Sequence, residues 1–189
     1  MLTNASDSPS VLSLDSVFVS QPVNTHIFAP FLIARLEEHP DVRERTLVYK
    51  ITLQNIGVKG IRTVPLRLAW TASMVPPVPL AAQTEYITEA AAYGLAFATL
   101  AHFTTAVLVD VAVRGDRFDY IVSDDGVRYG MEVSGSQAEA ISLLRDRHIQ
   151  KIRQLLDSSQ PLGGYVAIIG FVRREVILSY HQAEEIRGV

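Results

Sequence analysis

The sequence contains no cysteine, which excludes a disulfide framework, a thiolate zinc centre and a cysteine nucleophile. It has no excess of positive charge either: 17 Lys and Arg stand against 20 Asp and Glu, for a formal net charge of -3. A global basic field is therefore absent, and any binding to nucleic acid has to rest on a local patch. Lysine is scarce, and after Lys59 only Lys151 remains. The five histidines (His26, His39, His102, His148, His181) lack His-x-x-x-His or similar spacing, which argues against a zinc hydrolase. Neither a Gly-x-x-x-x-Gly-Lys-Ser/Thr loop nor a Gly-x-Ser-x-Gly elbow occurs, so P-loop and nucleophile-elbow chemistry have no support. Long apolar runs are missing too, because the stretch from Ala90 to Val113 is broken by His102, Thr104, Thr105 and Asp110. Residues 1–10 are polar and lack the basic and apolar parts of a secretory signal. These features predict a protein with no membrane association, placed in the cytoplasm.

What is present suits a folded chain, since 189 residues with 48% hydrophobic content can bury a substantial core. Leu47, Tyr49, Ile51 and Leu53 alternate with polar residues and predict a strand. After the turn at residues 55–60, Leu66, Leu68 and Trp70 alternate in the same way and complete a β-hairpin. The proline-rich segment 74–80 cannot be helix interior and marks a boundary between an N-terminal β-rich appendage, 1–80, and a second domain, 81–189.

Beyond that boundary, residues 84–103 are alanine-rich, with Glu85 and Glu89 where a helix amino end favours negative charge. Residues 105–113 read as a buried strand. Residues 118–122 and 127–133 read as two more, joined by the turn Asp124-Asp125-Gly126. A helix over 137–156 follows, with Ser136 as a candidate cap, then strands over 165–171 and 175–180. The order is helix, strand, strand, strand, helix, strand, strand.

Two isolated carboxylates stand on consecutive strands of this series, Asp119 near the start of one and Glu132 inside the next. Carboxylates on neighbouring strands can converge on one divalent cation. Glu132 lies between Met131 and Val133, where an ionised group needs a partner. The residue two further along, on the same strand face, is Ser134.

The Asp on the second strand and the Glu on the third resemble the PD-(D/E)XK nuclease-like superfamily, whose fold is called restriction-endonuclease-like. The resemblance covers roughly the last hundred residues. It implies an α/β fold, a mixed sheet flanked by helices over 84–180, with the N-terminal hairpin region added. It also implies Mg²⁺ held by Asp119 and Glu132, a supporting carboxylate from the first helix at Glu89, and nucleic acid as the partner. Ser134 occupies the position where that family carries its catalytic lysine. A serine hydroxyl is uncharged and cannot supply a lysine's electrostatic contribution. A lysine contributed by the next helix is a known rearrangement in the family, and Lys151 is then the candidate. The string Glu132-Val133-Ser134-Gly135, followed by a helix with Arg147 and Lys151-x-x-Gln154, also resembles a pattern found in bacterial nuclease-like proteins.

Helical spacing groups Ile141, Leu144, Ile152, Leu155 and Leu156 on one arc, with Arg145 and His148 inside it and Lys151 at its margin. Lys151 or His148 is therefore expected to face the carboxylates. Plainer readings stand beside these. Asp119 could end a strand, Glu89 could be a helix-end charge, and Asp110 could pair with Arg114. Lys151 and Arg153 could lie on a solvated face.

Two functions follow. One is a Mg²⁺-dependent phosphodiesterase using Glu89, Asp119, Glu132 and Lys151. The alternative is a catalytically inactive nuclease-fold subunit or adaptor in a bacterial multi-protein assembly, meeting a protein partner or a second copy through the edge of the N-terminal β region.

Overall fold

The computed structural model of the protein describes residues 9–76, 81–113, 116, 118–137, 140–157 and 163–182. The alternating segment forms strand β2 (Thr46–Gln54), which pairs antiparallel with β3 (Ile61–Ala69). Leu47, Tyr49, Ile51, Leu53, Leu66, Leu68 and Trp70 are all buried, as the period of two requires. Asn55 and Gly57, both at positive φ, turn the chain between the two strands.

This hairpin is not an appendage. The remaining strands are β1 (Ser10–Ser13), β4 (Val107–Val111), β5 (Tyr120–Asp124), β6 (Val127–Ser136), β7 (Gly164–Gly170) and β8 (Glu175–His181). All eight form one mixed sheet in the order β1-β3-β2-β8-β7-β6-β5-β4. Strand β2 runs parallel to β8, from Lys50↔Glu175 to Gln54↔Ser179. One buried cluster runs from Leu12 to Leu178. The expected division at residue 80 therefore divides neither the sheet nor the core. The physical reason is that β8 has a free hydrogen-bonding side, and β2 satisfies it. Of the proline segment itself, residues 77–80 lie outside the described residues.

Two helices precede the hairpin where only β structure was expected. These are α1 (Leu14–Val19) and α2 (Ala29–Glu37), whose Leu32, Ile33 and Leu36 are fully buried. They pack with α3 (Thr84–Phe103) on one face of the sheet, while α4 (Ile141–Leu156) packs on the other against β6 and β7. The small residues of α3 explain its closeness to the strands. A Cβ on Gly135 of β6 would stand 2.6 Å from the Ala92 Cβ. Gly94 instead faces α2, where a Cβ would stand 3.4 Å from Leu32 Cβ. No helix among the described residues is long and apolar enough to cross a membrane.

Candidate functional site

The site begins where two strands part. β5 and β6 pair from Asp124↔Val127 to Tyr120↔Met131, and the Asp119 N–H still donates to the Met131 carbonyl at 3.0 Å. β6 then continues to Ser136 with its far side on β7, and its near side opens. There the Val133 N–H donates to Asp119 Oδ2 at 2.9 Å. The Asp119 side chain thus takes the hydrogen bond that a longer β5 would have taken. Glu132 and Ser134 alternate onto the α4 face, opposite Val166 and Ile168, and Glu132 is 0% exposed.

Helix α4 answers this face with a stripe at i, i+4 and i+7: Arg147, Lys151 and Gln154. Lys151 Nζ donates to Glu132 Oε2 at 2.5 Å. Gln154 Nε2 donates to Glu132 Oε1 at 2.7 Å, and its Oε1 accepts from Lys151 at 3.3 Å. Arg147 Nη1 donates to Ser134 Oγ at 3.3 Å. The cation that meets Glu132 thus comes from α4.

His148 and Arg145 do not join it. His148 Nε2 sits 2.7 Å from Ser179 Oγ, which also contacts His181 Nε2 at 2.8 Å, in a buried cluster between α4 and β8. One residue of helix advance turns His148 to the core centre and leaves Arg147 and Lys151 at the margin. Arg145, on the other margin, is exposed. Ser136 does not cap α4 either: it ends β6, and Ala140 holds the N-cap position without a side-chain bond.

The opposite wall comes from α3. A cleft of about 520 Å³ is lined by Glu89 and Tyr93 of that helix, Asp119 at the fork, Ser134 of β6, and Arg147 and Lys151 of α4. Glu89 is exposed and accepts from the Tyr93 hydroxyl at 2.9 Å. Glu89, Asp119 and Lys151 therefore meet at the cleft, whereas Glu132 is fully buried and is not part of its lining. Asp110 is elsewhere, paired with Arg128 at 3.5 Å on the surface, while Arg114 lies outside the described residues. Asp124 and Asp125 make the turn, with Asp125 at positive φ. Sequence reasoning did not single out Tyr93, Thr84 or Thr88, which also line the cleft. Their signal was positional, since Thr84 and Thr88, and Glu89 and Tyr93, are i, i+4 pairs along one helix.

Burial pushes the Glu132 carboxyl up to about 7; Lys151 opposes this and the Asp119 charge adds to it. Burial also raises Asp119, against the Val133 N–H and Lys151, which favour its ionised form. Burial thus shifts both carboxyls toward their protonated forms.

No group of three or more His, Cys, Asp or Glu side chains converges among the described residues. Of the two carboxylates at the fork, Asp119 accepts from the Val133 N–H through Oδ2, and both Glu132 oxygens are engaged by Lys151 and Gln154. Mg²⁺ is commonly held by one or two carboxylates with waters and phosphate oxygens, and a cation at this pair would have to share the Glu132 oxygens with Lys151 and Gln154. No protein-family model matches the chain, nor does any curated protein or solved structure.

Proposed function

We propose that the protein is a Mg²⁺-dependent phosphodiesterase with a restriction-endonuclease-like core, acting on nucleic acid. The observation that carries this reading is Lys151 Nζ at 2.5 Å from Glu132 Oε2, on the strand face where Ser134 stands in place of lysine. Asp119 and Glu132 would hold the cation, which when bound supplies charge neutralisation at a phosphate oxygen and a water of lowered pKa. Gln154 orients Glu132 by donating to its second oxygen. Lys151, at the cleft wall, is placed to orient the attacking water and offset negative charge growing on the phosphate. Arg147, hydrogen-bonded to the uncharged Ser134, adds a second cation. Glu89 supports from the α3 wall.

The test is metal-dependent cleavage of supercoiled and single-stranded DNA by the pure protein. Wild type is expected to cut with Mg²⁺ and stop with chelator. Glu132→Ala and Lys151→Met are expected to lose at least about a hundredfold, the usual scale for removing such a group. Undiminished cutting by Glu132→Ala would sink the reading.

A second reading, the inactive nuclease-fold subunit or adaptor, is favoured by one observation: both Glu132 oxygens are already occupied, by Lys151 and Gln154. Absence of cleavage with a partner-bound mass in light scattering would select it.

A further inference from the structure

Lys151 faces two environments. It lines the cleft with a side chain 22% exposed, and its ammonium donates to Oε2 of Glu132, which is fully buried and absent from the cleft lining. A divalent cation on that oxygen would stand about 2.1 Å from it, hence within about 4.6 Å of the Lys151 nitrogen. Like charges that close repel strongly where water is excluded. The ammonium and the cation are therefore alternatives at Oε2. Gln154 does not compete in this way, because it is neutral and donates to the other oxygen.

Lys151 cannot leave unaided. A buried carboxylate stripped of its partner is costly, so the ammonium departs only as another cation arrives, and in the cleft it needs a negative partner of its own. The two cations of the lining, Arg147 and Lys151, both come from α4, whereas its carboxylates are Asp119 at the fork and Glu85 and Glu89 on α3. An oxyanion alone would meet three carboxylates there, and a cation alone would meet the ammonium. Entering together, each offsets the repulsion the other meets. The four-carbon stem of Lys151 lets its ammonium swing while α4 stays in place.

We infer that Lys151 is a latch on Glu132 that opens only when a phosphate-type oxyanion and a divalent cation enter the cleft together, the ammonium passing to the oxyanion and Glu132 Oε2 to the cation. This rests on the proposed cation site at Asp119 and Glu132 and adds its regulation. Binding of the two ions is therefore coupled, and each raises the affinity for the other by the same factor.

The chain has only the lysines Lys50, Lys59 and Lys151, so the Lys151 Cε–Hε signal can be followed by NMR in the whole protein, assigned by its loss in Lys151→Met. Glu132→Gln gives the reference for an ammonium without that carboxylate. The probes are Mg²⁺, inorganic sulfate, and a dinucleotide with a non-hydrolysable methylenephosphonate linkage. The signal is expected to stay in place with Mg²⁺ alone and to move with Mg²⁺ plus either anion. By calorimetry, the anion is expected to raise Mg²⁺ affinity about tenfold, and Mg²⁺ to raise anion affinity equally. In Lys151→Met, where Oε2 is already open, Mg²⁺ is expected to bind without an anion and to gain less than about twofold from one. A stronger effect of the dinucleotide than of sulfate identifies a phosphodiester as the source of the oxyanion, and an equal effect identifies the free ion.

A Lys151 signal unmoved by Mg²⁺ and anion together, one moved by Mg²⁺ alone, or an anion effect that survives in Lys151→Met overturns the latch. Coupling that needs Lys151, without cleavage of DNA, removes the phosphodiesterase and leaves the latch. Cleavage by wild type alongside coupling that survives Lys151→Met does the reverse.

Discussion

His148 on α4 and Glu132 on β6 respond to pH in opposite directions. Burial beside His181 pushes the His148 imidazole down to about 4. Between its ordinary value near 6.5 and that value, the unfolded chain takes up a proton that the native imidazole refuses, so stability falls as pH falls. Urea unfolding across this window is expected to show a loss of up to about 3 kcal/mol, and His148→Gln should flatten it. Glu132 works the other way. Its native carboxyl holds a proton up to about 7, so its contribution, measured in chelator, declines as pH rises through that value. Lys151→Met removes the ammonium from Glu132 Oε2 and leaves Gln154 on the other oxygen. The carboxyl can then stay protonated instead of unfolding the protein. A loss of about 1–3 kcal/mol is expected at pH 8 and clearly less at pH 6, read from urea midpoints. An equal loss at both pH values would show that Glu132 does not titrate as burial requires.

At the scale of elements, periodicity made most of the architecture legible. The helix expected at 84–103 is α3 over Thr84–Phe103, and the strand, turn and strand after it follow in the expected order. The rotation of α4 was less legible. Its apolar residues placed Arg145 and His148 inside the buried arc, but Leu144, His148 and Leu155 form the centre and Arg145 is exposed. An arc drawn on one helix does not say which margin faces a neighbour, because that depends on how the helix crosses the sheet. The contact between α3 and β6 is also a property of two elements. Gly135→Val would drive its side chain into Ala92, with the ideal Cβ already at 2.6 Å. Urea denaturation is expected to show a loss of about 1–3 kcal/mol. Adding Ala92→Gly should recover part of that loss, although alone it costs about 1 kcal/mol as a helix glycine. Simple additivity of the two changes would mean that this contact does not set the α3–β6 spacing.

Across the whole molecule, the β2–β3 hairpin and the fork share one sheet and one buried cluster. A fragment of residues 81–189 would strip β2 from β8 and uncover the buried partners of Leu47, Tyr49, Ile51 and Leu53. It is expected to be aggregated or unfolded by sedimentation and near-ultraviolet circular dichroism, whereas the full chain should unfold in a single transition by independent probes. A soluble, folded fragment would restore a domain boundary at residue 80. The hairpin, α3 and the two carboxylate strands follow from the sequence by itself, because alternation, alanine content and turn residues act over a few neighbouring positions. The sequence also singled out Glu89, Asp119, Glu132 and Lys151, whose isolation among apolar neighbours or scarcity made them visible. Only the tertiary structure decided that β2 lies beside β8, that His148 turns into the core, and that Lys151 reaches Glu132. Those outcomes depend on strand order and helix placement, which arise from contacts between residues far apart in the chain and carry no local pattern.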